Sequence, residues 1–226
     1  MRYSWQDLAL RWRLGLLTPE DISLRASEAW NEGWDHWSLG ALVGPFSNTV
    51  TGASVASHLE TALAHCGVRI PSLAEAIATV RKMPFHSEAG RDLLGAVIGF
   101  RSQRAQDIDW WHPWCPALLP NDTESFHARR LVKEIGPGHP LFGVPCVLIG
   151  HRSASDVILC RTQEAVPRIA EVQLAFGDET PERPPLPHAL FYPSLEHWAR
   201  ERMYPEMRVV LERRLEQIES SVPDRI

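Results

Sequence analysis

The side chains best suited to chemistry or recognition crowd into one run: Asp107, Asp109, Trp110, Trp111, His112, Trp114 and Cys115. Three of the nine tryptophans of the chain stand in it. Pro113, Pro116 and Pro120 break the run, so neither a helix nor a central strand is expected over residues 107–127. A loop with three indoles must tuck them into a neighbouring surface or present them to a partner. Tryptophan dominates binding hot spots, and the two aspartates give the loop an acidic rim. The expectation is that Trp110, Trp111 and Trp114 anchor a protein partner. Asp107 and Asp109 then orient it and speed the encounter.

A second chemistry competes. His36, Asp109, His112 and Cys115 could form a hydrolase site in a cleft between two parts of the chain, metal-assisted in one version. His112 and Cys115 supply nitrogen and sulfur, the donors zinc favours. The spacing argues against a metal. A structural zinc takes four ligands, His127 is tied to the others only loosely, and Pro113 denies His112 and Cys115 a shared helical face. No metal and no cofactor is expected. Asp35 sits beside His36, but adjacent residues do not face each other on a helix. There is no G-x-S-x-G elbow, no phosphate-binding P-loop and no G-x-G-x-x-G. Cys146 and Cys160 fall nearly opposite if a hairpin turns at Ser153–Ala154, and read as small buried hydrophobes. Arg129 and Arg130 read as a solvated helix face.

Composition narrows the setting. Net charge is −5 and the isoelectric point is near 6.1. That disfavours nucleic acid and membrane surfaces, which select cationic proteins. It suits a basic partner, such as a toxin domain. Lysine occurs only as Lys82 and Lys133, a bias that points to a GC-rich bacterial genome. The four cysteines, Cys66, Cys115, Cys146 and Cys160, form no C-x-x-C pair, and the start shows no signal-peptide pattern. A cytoplasmic protein with free thiols is the expectation.

The elements that must position these residues divide the chain into an α+β protein. Residues 1–106 read as a helical domain. Leu8, Trp12 and Leu16 recur at helical spacing, with Trp5 ahead of them. Thr18-Pro19-Glu20-Asp21 is a start signal, and it opens a helix with Ile22, Ala26, Ala29 and Trp30 inward. A third helix spans about Ser54 to Cys66. Ser72 and Glu75 form a capping box for a helix to about Met83. A further helix runs from Glu88 to about Gln106. Residues 107–138 read as a Trp/Pro-rich loop and linker. Residues 139–226 read as a three-stranded antiparallel meander with C-terminal helices. Its strands are Val144–Gly150, Asp156–Thr162 and Arg168–Phe176. Thr180–Pro187 is a surface linker. Ser194 caps a helix that Pro205 interrupts, and a last helix carries Met207, Val210, Leu211, Leu215 and Ile218 on one stripe.

Two resemblances add to this. The pattern His139-Pro140-Leu141-Phe142-Gly143, Asp156-Val157-Ile158-Leu159, Ala170-Glu171-Val172-Gln173-Leu174-Ala175-Phe176, Ser194-Leu195-Glu196-His197-Trp198 and Met203-Tyr204-Pro205-Glu206 resembles small uncharacterised bacterial proteins. It implies a meander-plus-helix module and no particular activity. The N-terminal Gly15-Leu16-Leu17-Thr18-Pro19-Glu20-Asp21-Ile22 is faintly similar to bacterial immunity proteins of toxin systems. The combined reading is a cytoplasmic protein-binding module, in its sharper form an immunity protein that occludes a toxin through the tryptophan loop.

Overall fold

The computed structural model describes residues 4–33, 37–43, 52–100, 102–117, 123–175 and 188–221. The chain is α+β and folds as two compact units, residues 1–83 with 212–226, and residues 84–211. The boundaries expected at 106 and 138 therefore fall inside the second unit. Thr180–Pro187, and Asp35 and His36, lie outside the described residues.

The first unit is helical because its starts and stops are written locally. Helix α1, Trp5–Arg13, opens at Ser4, whose hydroxyl accepts from the Asp7 amide. Helix α2, Pro19–Asn31, opens on a full capping box between Thr18 and Asp21, with proline in the first turn. Short α3, Trp37–Leu42, leads to α4, Gly52–His65, and α5, Leu73–Lys82, which has the expected Ser72–Glu75 box. Leu8, Ile22, Ala26, Ala29, Leu59 and Leu63 bury together, with Trp5 and Trp12 packed against them. Trp30, expected inward, is half exposed and covers Gly40 instead.

The second unit begins with α6, Glu88–Ile98, which Gly99 ends in the left-handed conformation at φ 79°. The expected extension to Gln106 gives way to a strand. Strands β1, Gln103–Ala105, and β2, Ile108–Trp110, form a hairpin whose two loop residues, Gln106 and Asp107, have φ of 53° and 69°. Positive φ at both positions is the tight turn that matches strand twist. Strand β3, Trp114–Pro116, then joins a five-stranded antiparallel sheet. Helix α7, Thr123–Glu134, follows. Strands β4, Cys146–Arg152, β5, Val157–Thr162, and β6, Ile169–Gln173, fall on the three stretches expected as strands, but the three-stranded meander expected there is only part of what forms. It is the centre of a wider sheet, ordered β3-β4-β5-β6-β7, with β7 at His188–Tyr192.

Register sorts this sheet into two chemically distinct faces. One cross-strand row runs Cys115, His151, Ile158, Val172, Ala189. The next runs Pro116, Gly150, Leu159, Glu171, Leu190 and points the other way. A bulge between Leu148 and Gly150 sets this phase, because one extra residue reverses the alternation. Beyond the sheet, α8, Leu195–Trp198, passes through a π-helical turn, Ala199–Met203, into α9, Tyr204–Ser221. Pro205 does not interrupt the helix as expected. The wider turn precedes it, with the Tyr204 amide donating to the Ala199 carbonyl five residues back.

Candidate functional site

The tryptophan run is interior. Trp110 and Trp111 are 0 % exposed and Trp114 is 1 % exposed. Trp114 meets Trp198 edge to face at 4.7 Å, Trp110 lies 5.6 Å from Trp198, and Phe85 stands against Trp111 at 5.4 Å. The indole N–H groups are built in as well. Trp110 donates to the Ala105 carbonyl at 3.0 Å, Trp114 to Glu206 at 3.1 Å, and Trp198 to Glu171 at 2.8 Å. Glu171 also holds Arg202, with oxygens 2.9 and 3.2 Å from its guanidinium. These indoles are the packing of one face of the sheet. The expectation that they anchor a partner is corrected by their burial, since a side chain with no exposed surface offers none.

The aspartates separate. Asp107 is exposed at the tip of the β1–β2 turn. Asp109 is fully buried, its carboxylate 2.7 Å from Arg91 and 3.4 Å from Arg104. It neutralises two cations of its own unit and does not form an acidic rim.

The described members of the hydrolase set are each engaged elsewhere. His112 is exposed and its ring packs on Phe100. Cys115 lies on the opposite face of the sheet from Trp114, directly across from His151. His127, from α7, stacks on His151 at 5.6 Å. Sequence spacing could not show this Cys115–His151–His127 juxtaposition, because it joins β3, β4 and α7. Its electrostatics are those of a neutral contact. Burial pushes the Cys115 thiol up, and burial, then His127, pushes the His151 imidazole down. An activated nucleophile needs the reverse, a depressed thiol beside a protonated base. Among the described residues, no group of three or more His, Cys, Asp or Glu is arranged to hold a metal ion.

The face that carries Ile158 and Val172 holds the candidate site. Helix α7 packs on it through Leu131, in a cluster with Leu141, Leu148, Ile158, Cys160, Ala170 and Val172. The packing leaves a cavity of about 490 Å³ between α7, the 141–145 segment and strands β4 and β5. Ile158 and Cys160 form its buried floor, and Val132 and Phe142 border it while 78 % and 54 % exposed. The wall is fixed locally: the Leu141 amide donates to Nδ1 of His139 at 3.0 Å. Helix α7 is tied at its end, where Glu134 pairs with Arg130 at 3.1 Å and accepts from the Ala175 amide at 2.7 Å. Cys146 and Cys160 share the lining. They are diagonal rather than opposite, since Cys146 pairs with Thr162 and Cys160 with Leu148. Burial pushes both thiols up, so both behave as apolar groups here.

The cavity has the size and lining of a ligand pocket. It offers apolar contact, with no charged side chain among the described residues of its lining. Sequence reasoning missed it because α7, which roofs it, lies in the stretch expected to be loop and linker. The signal available was Leu131 and Ile135 at helical spacing beside Arg129, Arg130 and Lys133. No described helix is long and apolar enough to cross a membrane. Set beside known proteins, the chain matches no family model, no curated protein and no solved structure.

Proposed function

We propose that this chain is a protein-binding module, and that the partner is received at the mouth of the cavity between α7 and the sheet. The observation that carries this reading is the pair Val132 and Phe142, strongly exposed apolar side chains bordering an apolar cavity. Exposed apolar surface beside a pocket is what a hot spot needs: an anchor buried in the pocket and neighbours that exclude water. A small molecule confined to the cavity leaves Val132 and Phe142 wet, whereas a protein side chain entering it brings surface to cover them. Occlusion of a toxin is one form such binding takes. In that form the occluding surface is α7 with the 136–145 segment, in place of the tryptophan run.

The experiment compares the wild-type chain with a Val132→Glu/Phe142→Glu variant as baits in native lysate. Both positions are exposed, so the variant keeps its fold, checked by circular dichroism. A stoichiometric partner is expected for the wild type, and its affinity for the variant falls by about 2 kcal/mol or more, roughly thirtyfold. A partner that binds both baits equally rules out this surface.

A further inference from the structure

Two histidines meet where the roof of the cavity begins. His127 stands on α7 immediately before Ala128, which lines the cavity. Its ring stacks on that of His151, from β4, with centroids 5.6 Å apart and planes 21° apart. Both side chains are partly buried. The contact joins the first half of the helix to the sheet beneath it, and Leu131, one turn on, carries the apolar part of the same attachment. The surroundings of His151 hold little charge of their own. From β3, Cys115 stands directly across from it, and burial pushes that thiol up, which keeps it neutral. From β5, Ile158 is apolar, and Asp156 stands two residues ahead of it in the chain. On α7, Arg130 pairs with Glu134 at 3.1 Å, Arg129 and Lys133 are exposed, and Glu124 stands one turn before His127. On β4 itself, Arg152 pairs with Glu206 at 3.5 Å. His127 is the charge that moves His151: burial first, then this neighbour, push the His151 imidazole down.

We propose that the His127–His151 stack is a pH-sensitive latch, whose neutral rings hold the start of α7 on the sheet and whose protonation in mild acid releases it and dismantles the α7 wall of the cavity. The physical argument is linkage. While the helix is docked, His151 resists a proton, because the ring is half out of water and a second imidazole lies on it. When the start of the helix lifts, water reaches both rings and their ordinary proton affinity returns. The lifted state then binds protons more tightly than the docked one, so falling pH favours it. The latch stands on this contact alone. Its consequence, a partner released in mild acid, rests on the binding site proposed above.

Amide hydrogen exchange of the full chain tests the latch without any partner. It is read by mass spectrometry at about pH 7.5 and about pH 5.5, each corrected for the intrinsic exchange rate. Residues 127–135 of α7 are expected to lose protection about tenfold at the lower pH, as the uptake of one proton allows, while β5 keeps its own. His151→Gln is expected to abolish that loss and His127→Gln to reduce it, with folding of each variant checked by circular dichroism at the higher pH. Protection of α7 that does not change with pH overturns the latch. A loss shared equally by α7 and β5 is global destabilisation and overturns it as well. So does an α7 loss that survives His151→Gln, or one that Glu124→Gln removes as fully. The binding reading is decided separately by the bait experiment, and its failure leaves the exchange result standing.

Discussion

An indole has one N–H, and inside a protein its value depends on whether an acceptor waits for it. Trp198 donates to Glu171 and Trp114 to Glu206, but the Trp111 Nε1, equally buried, meets no acceptor among the described residues. Leaving a buried donor unmet costs about 1–3 kcal/mol, and replacing it by an apolar ring of similar shape removes that cost. Trp198→Phe gives up a charge-assisted bond and leaves that Glu171 oxygen only Arg202, at 3.2 Å, whereas Trp111→Phe gives up none. Trp198→Phe should therefore destabilise the protein by about 1–3 kcal/mol more than Trp111→Phe, read by urea denaturation of the two variants. Equal losses would mean that the Trp198–Glu171 bond is worth nothing in this core. The count of tryptophans was open to anyone reading the sequence. Which indole meets a carboxylate was not, because Trp198 and Glu171 lie on different elements, and Glu206 is far along the chain from Trp114.

At the level of elements, strand β4 shows how one residue sets a whole face. The bulge after Leu148 turns Gly150 toward the indoles and His151 toward α7. A Cβ built at Gly150 stands 2.4 Å from Trp110 Cη2 and 3.0 Å from the Cys115 carbonyl oxygen. Trp110 cannot swing away, since it is wholly buried and its N–H is bonded to Ala105. Gly150→Ala should cost about 1–3 kcal/mol through overpacking, visible as a lowered melting temperature; an unchanged melting temperature would show that the β2–β4 packing is loose. A glycine inside a strand does signal close backbone approach, and the sequence reading instead ended the strand there. The helices of the first unit were legible because Ser4, Thr18 and Ser72 announce them within a turn of themselves. The β1–β2 hairpin was not, because Gln106-Asp107 is an unusual pair for a turn that favours Asn-Gly. Strands β3 and β7 were hidden for a related reason. Their short sequences carry weak local signals, and the sheet they join supplies the stability.

Over the whole molecule, the depressed His151 imidazole links stability to pH. Its ordinary value is 6.5, and burial, then His127, lowers it in the folded protein. The sign follows from proton binding. Above the ordinary value both folded and unfolded chains hold His151 neutral, and the full stability is present. As pH falls below it, the unfolded chain takes up the proton first and stability declines, until the folded imidazole titrates as well. Melting temperature should therefore drop between about pH 7.5 and pH 5, and His151→Gln should flatten part of that drop. A variant with the same pH dependence as the wild type would place the titration elsewhere. Such measurements bear on the binding face too, since His151 lies beneath α7, the helix that roofs the cavity. What the sequence determined by itself is everything that short-range physics writes: the α+β class, the capped helices, the three central strands, the overall negative charge. What only the tertiary structure decided is which side of each element faces in. The prolines and indoles of residues 107–116 suit an exposed loop and a buried corner equally well. Burial is settled by partners far along the chain, Trp198, Glu171, Met203 and Glu206, whose arrival depends on the sheet register. The same register assembles the cavity from α7, β4 and β5, so the candidate site has no single stretch of sequence in which to be read.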